Sequence, residues 1–200
     1  MIKLILIRHS ETKWNKQKRY LGRTDIALSP KGQKQAGLIS GYLRNKNISV
    51  IYSSKLKRAL ETAVTIAKPH NLKVKEDEGL NEIDFGKWEG MTFNQIRKKY
   101  PILARKYLSN PLNIKIPEGE SLLKFRNRIN RALKKILAQE KGTIVIVSHA
   151  GVNRIIICSL LKLPLSCLWQ IKQDIGAINI IEIYKNMNII SLINHTLWEN

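Results

Sequence analysis

The strongest constraint on the fold is the alternation of short apolar runs with stretches of helical periodicity. Residues 2–7 and 143–147 are almost entirely aliphatic, which is typical of strands buried on both faces of a sheet. Further strand patterns lie at residues 50–52, 73–76, 177–184 and 189–193. This order of elements predicts an α/β domain with three α/β/α layers and a mainly parallel central sheet.

Apolar spacing and start signals predict the helices between these strands. Ser29 and Pro30 fit the N-cap and the first helical position of a helix that reaches about Arg44. The other predicted helices span residues 55–68, 92–99, 120–138 and 152–162, with the second of these ending near Pro101. Residues 79–119 are the least regular, so we interpret residues 1–200 as one domain in which residues 79–119 form an insertion over the mouth of the active site.

A formal net charge of +20, from 35 Lys+Arg against 15 Asp+Glu, has two interpretations. Such an excess can serve a nucleic-acid or membrane surface. However, Lys outnumbers Arg 24 to 11 and aromatic residues make up 6% of the chain, whereas nucleic-acid readers favour Arg forks and stacking aromatics. We therefore favour a compositional bias toward Lys, Ile and Asn. A nucleic-acid binder, the less favoured class, would lose duplex affinity steeply between about 50 and 200 mM salt.

Location and assembly are constrained only weakly. No apolar run reaches the length of about 18 residues that a membrane span needs, and residues 1–3 lead into a strand pattern without a cleavage signal. Cys158 and Cys167 lie in apolar contexts without metal-ligand spacing, which favours buried free thiols in a reducing cytoplasm. We expect a cytoplasmic protein with no membrane partner, and a homodimer is left open.

Two of the four histidines directly follow the two clearest strands. Arg8 and His9 come after the first strand, and His149 comes two residues after the strand at 143–147. Arg58 lies in the first turn of the helix after residues 50–52. Because ligands of open α/β sheets bind beyond the carboxyl ends of the strands, we expect these four side chains to converge at one edge.

Their chemistry fits a phosphoryl group. Arginine forks bind phosphate oxygens, and a neutral imidazole can act as a nucleophile that forms a phosphohistidine. Departure of an alkoxide also needs an acid, and Glu82, Asp84 and Glu89 in the glycine- and aromatic-bearing segment 79–90 are the candidates. The residue pattern alone does not choose among the three. No histidine or cysteine pair has metal-ligand spacing, so we predict no metal.

An ordered set of motifs resembles the histidine phosphatase superfamily, also called phosphoglycerate mutase-like. The matching segments are LIRHSETKWN (6–15), GRTD (22–25), LSPKG (28–32), SSKLKRA (53–59), ETA (61–63), LNE (80–82), FGKWEG (85–90), PEGES (117–121) and VSHAGV (147–152). Each piece alone is weakly specific, but their order along the chain is very specific.

The resemblance implies a role for each matching residue. His9 would be the phosphorylated nucleophile, and Glu82 the general acid that later activates water. Arg8, Arg58 and His149 would hold the phosphoryl group, with Asn15 lining its site. No metal or organic cofactor is implied. The family usually has glycine where this chain has Ser10, so a positive φ at this position would strain the backbone, whereas ordinary angles would place a hydroxyl there.

The resemblance also implies a function. The stretch 90–117 is shorter than the corresponding insertion usual in phosphoglycerate mutases, and a shorter cover favours water as the acceptor. We therefore predict a cofactor-independent phosphomonoesterase that hydrolyses a small phosphorylated metabolite. The chain length and residues 173–179 resemble α-ribazole-5′-phosphate phosphatases of cobalamin synthesis, which makes that ester the first candidate. A phosphoglycerate mutase is the alternative enzyme.

Overall fold

The computed structural model describes residues 1–109 and 111–198 and has one six-stranded sheet at its centre. The strands are β1 (Ile2–Arg8), β2 (Val50–Ser53), β3 (Val74–Glu76), β4 (Gly142–Ser148), β5 (Ile178–Ile183) and β6 (Asn188–His195). They lie in the order β3-β2-β4-β1-β5-β6. The pairings of β1 with β4, β2 with β4 and β2 with β3 are parallel, whereas β5 is antiparallel to both β1 and β6. The predicted mainly parallel sheet is therefore confirmed, with an antiparallel hairpin at one edge.

Helices cover both faces of the sheet. They are α1 (Lys13–Lys16), α2 (Pro30–Leu43), α3 (Lys57–Ala67), α4 (Phe93–Lys99), α5 (Pro101–Ser109), α6 (Leu122–Gln139) and α7 (Ala150–Leu160). Along β1, Leu4 and Leu6 pack under α6 and α7, while Ile5 and Ile7 pack under α2 and α3. Alternate residues of one strand thus fill two separate cores, which explains the unbroken apolar runs and confirms the three-layer architecture.

Residues 79–119 are more regular than predicted. The helix expected at 92–99 forms as α4 and ends at Lys99, as predicted. Pro101 then begins a second helix that was not predicted, α5, since the first helical position needs no N–H donor. This segment has a small core of its own, in which Trp88, Ile96, Ala104 and Ile116 are buried. The single helical turn of α1 was also not predicted from the sequence.

The structure tests the predictions about the two cysteines and about membrane-spanning segments. Cys158 and Cys167 are both free thiols; Cys158 is buried, but Cys167 is only partly so. The expectation of two buried thiols is therefore wrong for Cys167. In the described part of the chain, no helix combines the length and the apolar character that a bilayer crossing requires.

Helix α6 offers a matched test of the core. Ile129→Ala removes a side chain that is fully buried against the sheet, and should lower the free energy of unfolding by about 2–5 kcal/mol. Leu123→Ala on the same helix removes a side chain that is 55% exposed, and should change it by less than about 1 kcal/mol. Urea unfolding measures both, and equal losses would contradict the assigned face of α6.

Candidate active site

Three parallel strands end at the same edge of the sheet and bring the predicted residues together. Arg8 at the end of β1 pairs in register with Ser148 at the end of β4, and the backbone N–H of His9 donates to the Ser148 carbonyl at 2.8 Å. The rings of His9 and His149 are therefore neighbours, with centroids 5.2 Å apart. The convergence expected from the sequence is present.

The backbone fixes the tautomer of His9. Its Nδ1 lies 2.7 Å from the carbonyl oxygen of Ser10, and since a carbonyl only accepts, Nδ1 must carry the proton. The pKa of His9 is lowered well below its ordinary value, first by burial and then by the charges of Arg58 and Arg8. A neutral imidazole with an unprotonated Nε2 is therefore the stable form at neutral pH, which is what a nitrogen nucleophile requires.

His149 is held in a similar environment. Its Nε2 is hydrogen-bonded to the hydroxyl of Ser54 at 2.8 Å, and its side chain is 1% exposed. Burial, followed by the charge of the nearby Arg58, lowers its pKa well below the ordinary value. His149 is also the N-cap residue of α7, so it stands where the helix presents its first N–H groups.

The two arginines are anchored by backbone carbonyls rather than by carboxylates. Arg8 donates from Nη1 to the Gln173 carbonyl at 2.7 Å, and Arg58 donates from Nη1 and Nη2 to the carbonyls of Thr24 and Gly22. Burial lowers the pKa of each guanidinium to about 10, so both stay charged at neutral pH. No carboxylate is hydrogen-bonded to either guanidinium among the described residues, which leaves their charge available to an anion.

Four buried polar atoms at this edge have no hydrogen-bond partner within the described residues. They are Nε of Arg8, Nε of Arg58, Nδ1 of His149 and Oγ of Ser10. Buried polar groups are normally paired, so such a cluster calls for an explanation. Two guanidinium N–H donors, a hydroxyl and an imidazole nitrogen match the acceptor oxygens of a phosphoryl group.

The backbone of Ser10 has a negative φ, an ordinary conformation for a residue with a side chain. Its backbone N–H donates to Oγ1 of Thr62 at 3.2 Å, and its side chain is fully buried. The strain that a serine in place of glycine would suffer at positive φ therefore does not arise.

Of the three candidate acids, Glu82 alone faces the cavity beside His9. Its two carboxylate oxygens accept from the backbone N–H groups of Ile83 at 2.9 Å and Gly151 at 3.0 Å. The Gly151 N–H belongs to the first turn of α7, so the helix terminus stabilises the carboxylate. A Cβ at residue 151 would lie 2.5 Å from the Glu82 carboxylate, so a larger residue there would displace that carboxylate.

The carboxylates of Asp84 and Glu89 accept hydrogen bonds from backbone N–H groups instead. Oδ1 of Asp84 accepts from the N–H of Gly86 at 2.8 Å. The carboxylate of Glu89 accepts from the N–H groups of Gly22, Arg23 and Thr24. Since Arg58 binds carbonyls of the same loop, the segment 22–24 is held between one carboxylate and one guanidinium. The residue pattern alone left these three acids equivalent and the resemblance pointed to Glu82; the cavity lining and the hydrogen-bond partners now separate Glu82 from the other two.

Arg128 on α6 supports Glu82 from outside the cavity. Its guanidinium donates to the carbonyl of Glu82 at 2.8 Å and to the carbonyl of Gly79 at 2.9 Å. The same group forms a two-point ion pair with Glu120, at 2.8 and 2.9 Å, and stacks over the ring of Phe125. Sequence reasoning placed Arg128 only on a solvated helix face, and no spacing rule links it to residue 82.

Asn15 lies beside the same site. Its Oδ1 accepts from the backbone N–H and the hydroxyl of Thr12, as the third residue of a capping box at the start of α1. Its amide nitrogen is therefore the group that can donate to a ligand. Other positioning residues were not foreseen: Ser54 and Thr62 steady His149 and Ser10, and Gln173 anchors Arg8.

A cavity of about 400 Å³ opens over this edge and is lined by Arg8, His9, Asn15 and Glu82. Its other lining residues include Tyr20, Phe85, Tyr107, Leu122, Phe125, Arg154 and Trp169. Arg58 and His149 are not among its lining residues; both are buried, and the His149 ring lies 5.2 Å from the ring of His9. In the described residues no group of three or more His, Cys, Asp or Glu side chains could hold a metal ion.

The profile of the histidine phosphatase superfamily (branch 1) matches residues 4–196. The chain therefore belongs to this superfamily. Phosphoserine phosphatase 1 of Hydrogenobacter thermophilus is 38% identical over 197 residues, covering 98% of this chain and 93% of that protein. Phosphoglycerate mutase-like protein 4 of Arabidopsis thaliana is 38% identical over 76% of this chain and 67% of its own length.

The fold agrees with this assignment. The crystal structure of a putative α-ribazole-5′-P phosphatase from Escherichia coli superposes with a TM-score of 0.91 at 26% identity, covering 97% of this chain and 96% of that one. The superfamily and the phosphatase-named relatives make this chain a phosphatase that acts on small phosphorylated substrates.

The close approach at residue 151 predicts the effect of one methyl group. Gly151→Ala should displace the Glu82 carboxylate and lower kcat for p-nitrophenyl phosphate by about tenfold or more, with little change in stability. Gly37→Ala is the matched control, since a Cβ in that helix meets nothing within 4 Å. An unchanged kcat in Gly151→Ala would exclude a role for this contact.

The two buried histidines predict how stability depends on pH. Their folded pKa values lie below the unfolded value of about 6.5, so below that pH the unfolded chain binds more protons than the native one. The free energy of unfolding should therefore be highest above pH 6.5, where the histidines are neutral in both states. It should fall on acidification, by up to about 1.4 kcal/mol per pH unit for each histidine. Urea titrations at pH 7 and 5 test this, and His149→Gln should flatten the dependence.

Proposed function

We propose that this member of the histidine phosphatase superfamily is a cofactor-independent phosphomonoesterase that works through a phosphohistidine on His9. The observation that carries the proposal is the state of His9. Its Nδ1 proton is bound to the Ser10 carbonyl, which leaves Nε2 as a lone-pair donor in a cavity that also contains Glu82. The neighbouring cations favour the neutral imidazole and attract a dianionic ester.

The phosphoryl group would be bound by Arg8, Arg58, His149 and Asn15. Nε of Arg8, Nε of Arg58 and Nδ1 of His149 are the buried polar atoms without partners that its oxygens would satisfy. The amide nitrogen of Asn15 adds a donor from α1. Because carbonyls already orient both guanidinium groups, little side-chain entropy remains to be lost on binding.

The reaction then proceeds in two displacements. In the first, Nε2 of His9 forms a bond to phosphorus while the phosphorus–oxygen bond to the leaving group breaks, and Glu82 donates a proton to that oxygen. In the second, Glu82 takes a proton from water as the water oxygen attacks phosphorus and the nitrogen–phosphorus bond breaks. The first turn of α7 and the backbone of Ile83 hold the carboxylate for both proton transfers.

We assign residues 79–119, within a single domain of residues 1–200, as the cover of this site. Glu82, Phe85, Tyr107 and Ile116 from this segment all line the cavity. The segment carries its own small core around Trp88, which supports a preformed cover. A cover this short would leave the phosphohistidine accessible to water, which favours hydrolysis over transfer to a second substrate.

α-Ribazole-5′-phosphate remains the first candidate substrate, supported by the likeness to the Escherichia coli structure. The relatives named phosphoserine phosphatase and phosphoglycerate mutase-like support two other small esters. Phosphoglycerate mutase is the alternative activity: isomerisation of 3-phosphoglycerate, primed by the 2,3-bisphosphate, would have to outpace hydrolysis. The cytoplasmic location stays a prediction based on two free thiols, and the oligomeric state stays open.

Replacement of the nucleophile tests the function directly. His9→Ala should lower turnover of p-nitrophenyl phosphate, with metal chelated, by about three orders of magnitude or more and abolish acid-labile phosphate labelling of the protein. His195→Ala is the matched control, because that ring packs on Tyr42 away from the cavity. Unchanged turnover in His9→Ala would refute the phosphohistidine mechanism.

A further inference from the structure

Much of the cavity lining is apolar and aromatic. We define the leaving-group chamber as the region walled by Tyr20, Phe85, Tyr107, Leu122, Phe125 and Trp169. Two of these side chains belong to the cover and one follows α1, so the chamber is assembled from distant parts of the chain. It shares one continuous cavity of about 400 Å³ with Arg8, His9 and Glu82.

The wall of this chamber is held in shape by edge-to-face ring contacts. The ring of Tyr20 lies 5.0 Å from that of Phe85 and 6.3 Å from that of Tyr107, at interplanar angles of 89° and 70°. Behind them the fully buried Trp88 packs 5.8 Å from Tyr20 and 5.4 Å from Tyr107. Such packing makes the wall rigid before any ligand arrives, so a flat apolar group can be buried without reorganisation.

Cations outnumber carboxylates among the residues that line the cavity. Lys18, Arg19 and Arg154 add three cations to Arg8 around the described cavity. The carboxylates among the described lining residues are Glu82 and Glu120. Glu82 is bound by two backbone N–H groups and reserved for proton transfer, and Glu120 is paired at two points with Arg128. No uncommitted carboxylate of the lining remains to bind an ammonium group.

From these two features we propose that the substrates are phosphate monoesters with a flat apolar leaving group that carries no positive charge. This inference rests on the proposed phosphomonoesterase function and sharpens its substrate class. Phosphoserine, after which one relative is named, fits this lining poorly, since its ammonium group would meet three cations and no uncommitted carboxylate. Small polar esters would fill the phosphate site and leave the aromatic walls uncovered.

Non-hydrolysable ligands test the chamber without requiring turnover. Calorimetry with the full chain compares 3-phenylpropylphosphonate, propylphosphonate and 3-aminopropylphosphonate, which share the same phosphonate and linker. Burial of the phenyl ring should lower Kd about tenfold or more relative to propylphosphonate, and the ammonium should raise it. Equal Kd values for the phenyl and propyl ligands, or tighter binding of the amino ligand, would overturn the proposal.

The matching esters test the same ranking in catalysis. The series 2-phenylethyl, ethyl and 2-aminoethyl phosphate keeps a primary alkoxide as leaving group, so differences in kcat/KM report the chamber rather than leaving-group reactivity. Hydrolysis of all three esters at equal rates would refute the inference and leave the phosphatase function standing. Ranked phosphonate binding without hydrolysis of any ester would refute the phosphatase function and leave the chamber standing.

A chamber variant adds a structural control. Trp169→Ala truncates a side chain that is 42% exposed at the edge of the cavity, so the fold should survive. The preference for the phenyl over the propyl phosphonate should fall several-fold, while the Kd of inorganic phosphate stays unchanged. Tyr184→Ala, which removes an aromatic side chain of 40% exposure outside the cavity, should leave both unchanged. If Trp169→Ala keeps the full preference for the phenyl over the propyl phosphonate, the phenyl group does not bind in this chamber and the proposal is wrong. Loss of the preference in Tyr184→Ala would likewise place the subsite elsewhere.

Discussion

Two guanidinium groups and two imidazoles are crowded at one edge of the sheet, and most other features of the site follow from that crowding. Like charges in a buried space destabilise the native state unless they are solvated or neutralised. Here the imidazoles stay neutral, and backbone carbonyls of Gln173, Gly22 and Thr24 solvate the arginines in place of carboxylates. The positive potential is therefore preserved for a ligand rather than cancelled within the protein.

Carboxylates are scarce in this chain, and those near the site stabilise its loops. Glu89 binds three consecutive N–H groups of the segment 22–24, whose carbonyls in turn bind Arg58. Glu120 pairs with Arg128, which binds the carbonyls on either side of the turn that carries Glu82. Each anion thus fixes a loop that positions a member of the site, while Glu82 itself is left to face the cavity.

The basic excess has a local explanation and a general one. Arg8, Lys18, Arg19 and Arg154 line the cavity, and the buried Arg58 is bound to the carbonyls of Gly22 and Thr24. The rest is a lysine-rich surface, on which ion pairs such as Lys55 with Glu78 join exposed side chains and add little stability. A general positive field of this kind attracts phosphate esters from solution without specifying which ester is cleaved.

What could be predicted from the sequence is local or ordered along the chain. Unbroken apolar runs identified β1 and β4, and histidines directly behind them identified the site, because a parallel sheet brings the ends of its strands to one edge. Ordered motifs named the superfamily, and they singled out Glu82 where the residue pattern alone left three acids equivalent. These inferences need only short-range pattern and one rule of topology.

Only the tertiary structure decided the rest, because it depends on contacts between residues distant in sequence. The tautomer of His9 follows from a carbonyl whose orientation no pattern shows, and Arg128 reaches the Glu82 turn across 46 residues. Helix α4 ends before Pro101 as expected, but Pro101 also begins α5, whose Ala104 packs into the small core of the cover. Tyr20, Tyr107 and Trp169 share no motif, and they line one cavity only because the folded chain packs distant segments against each other.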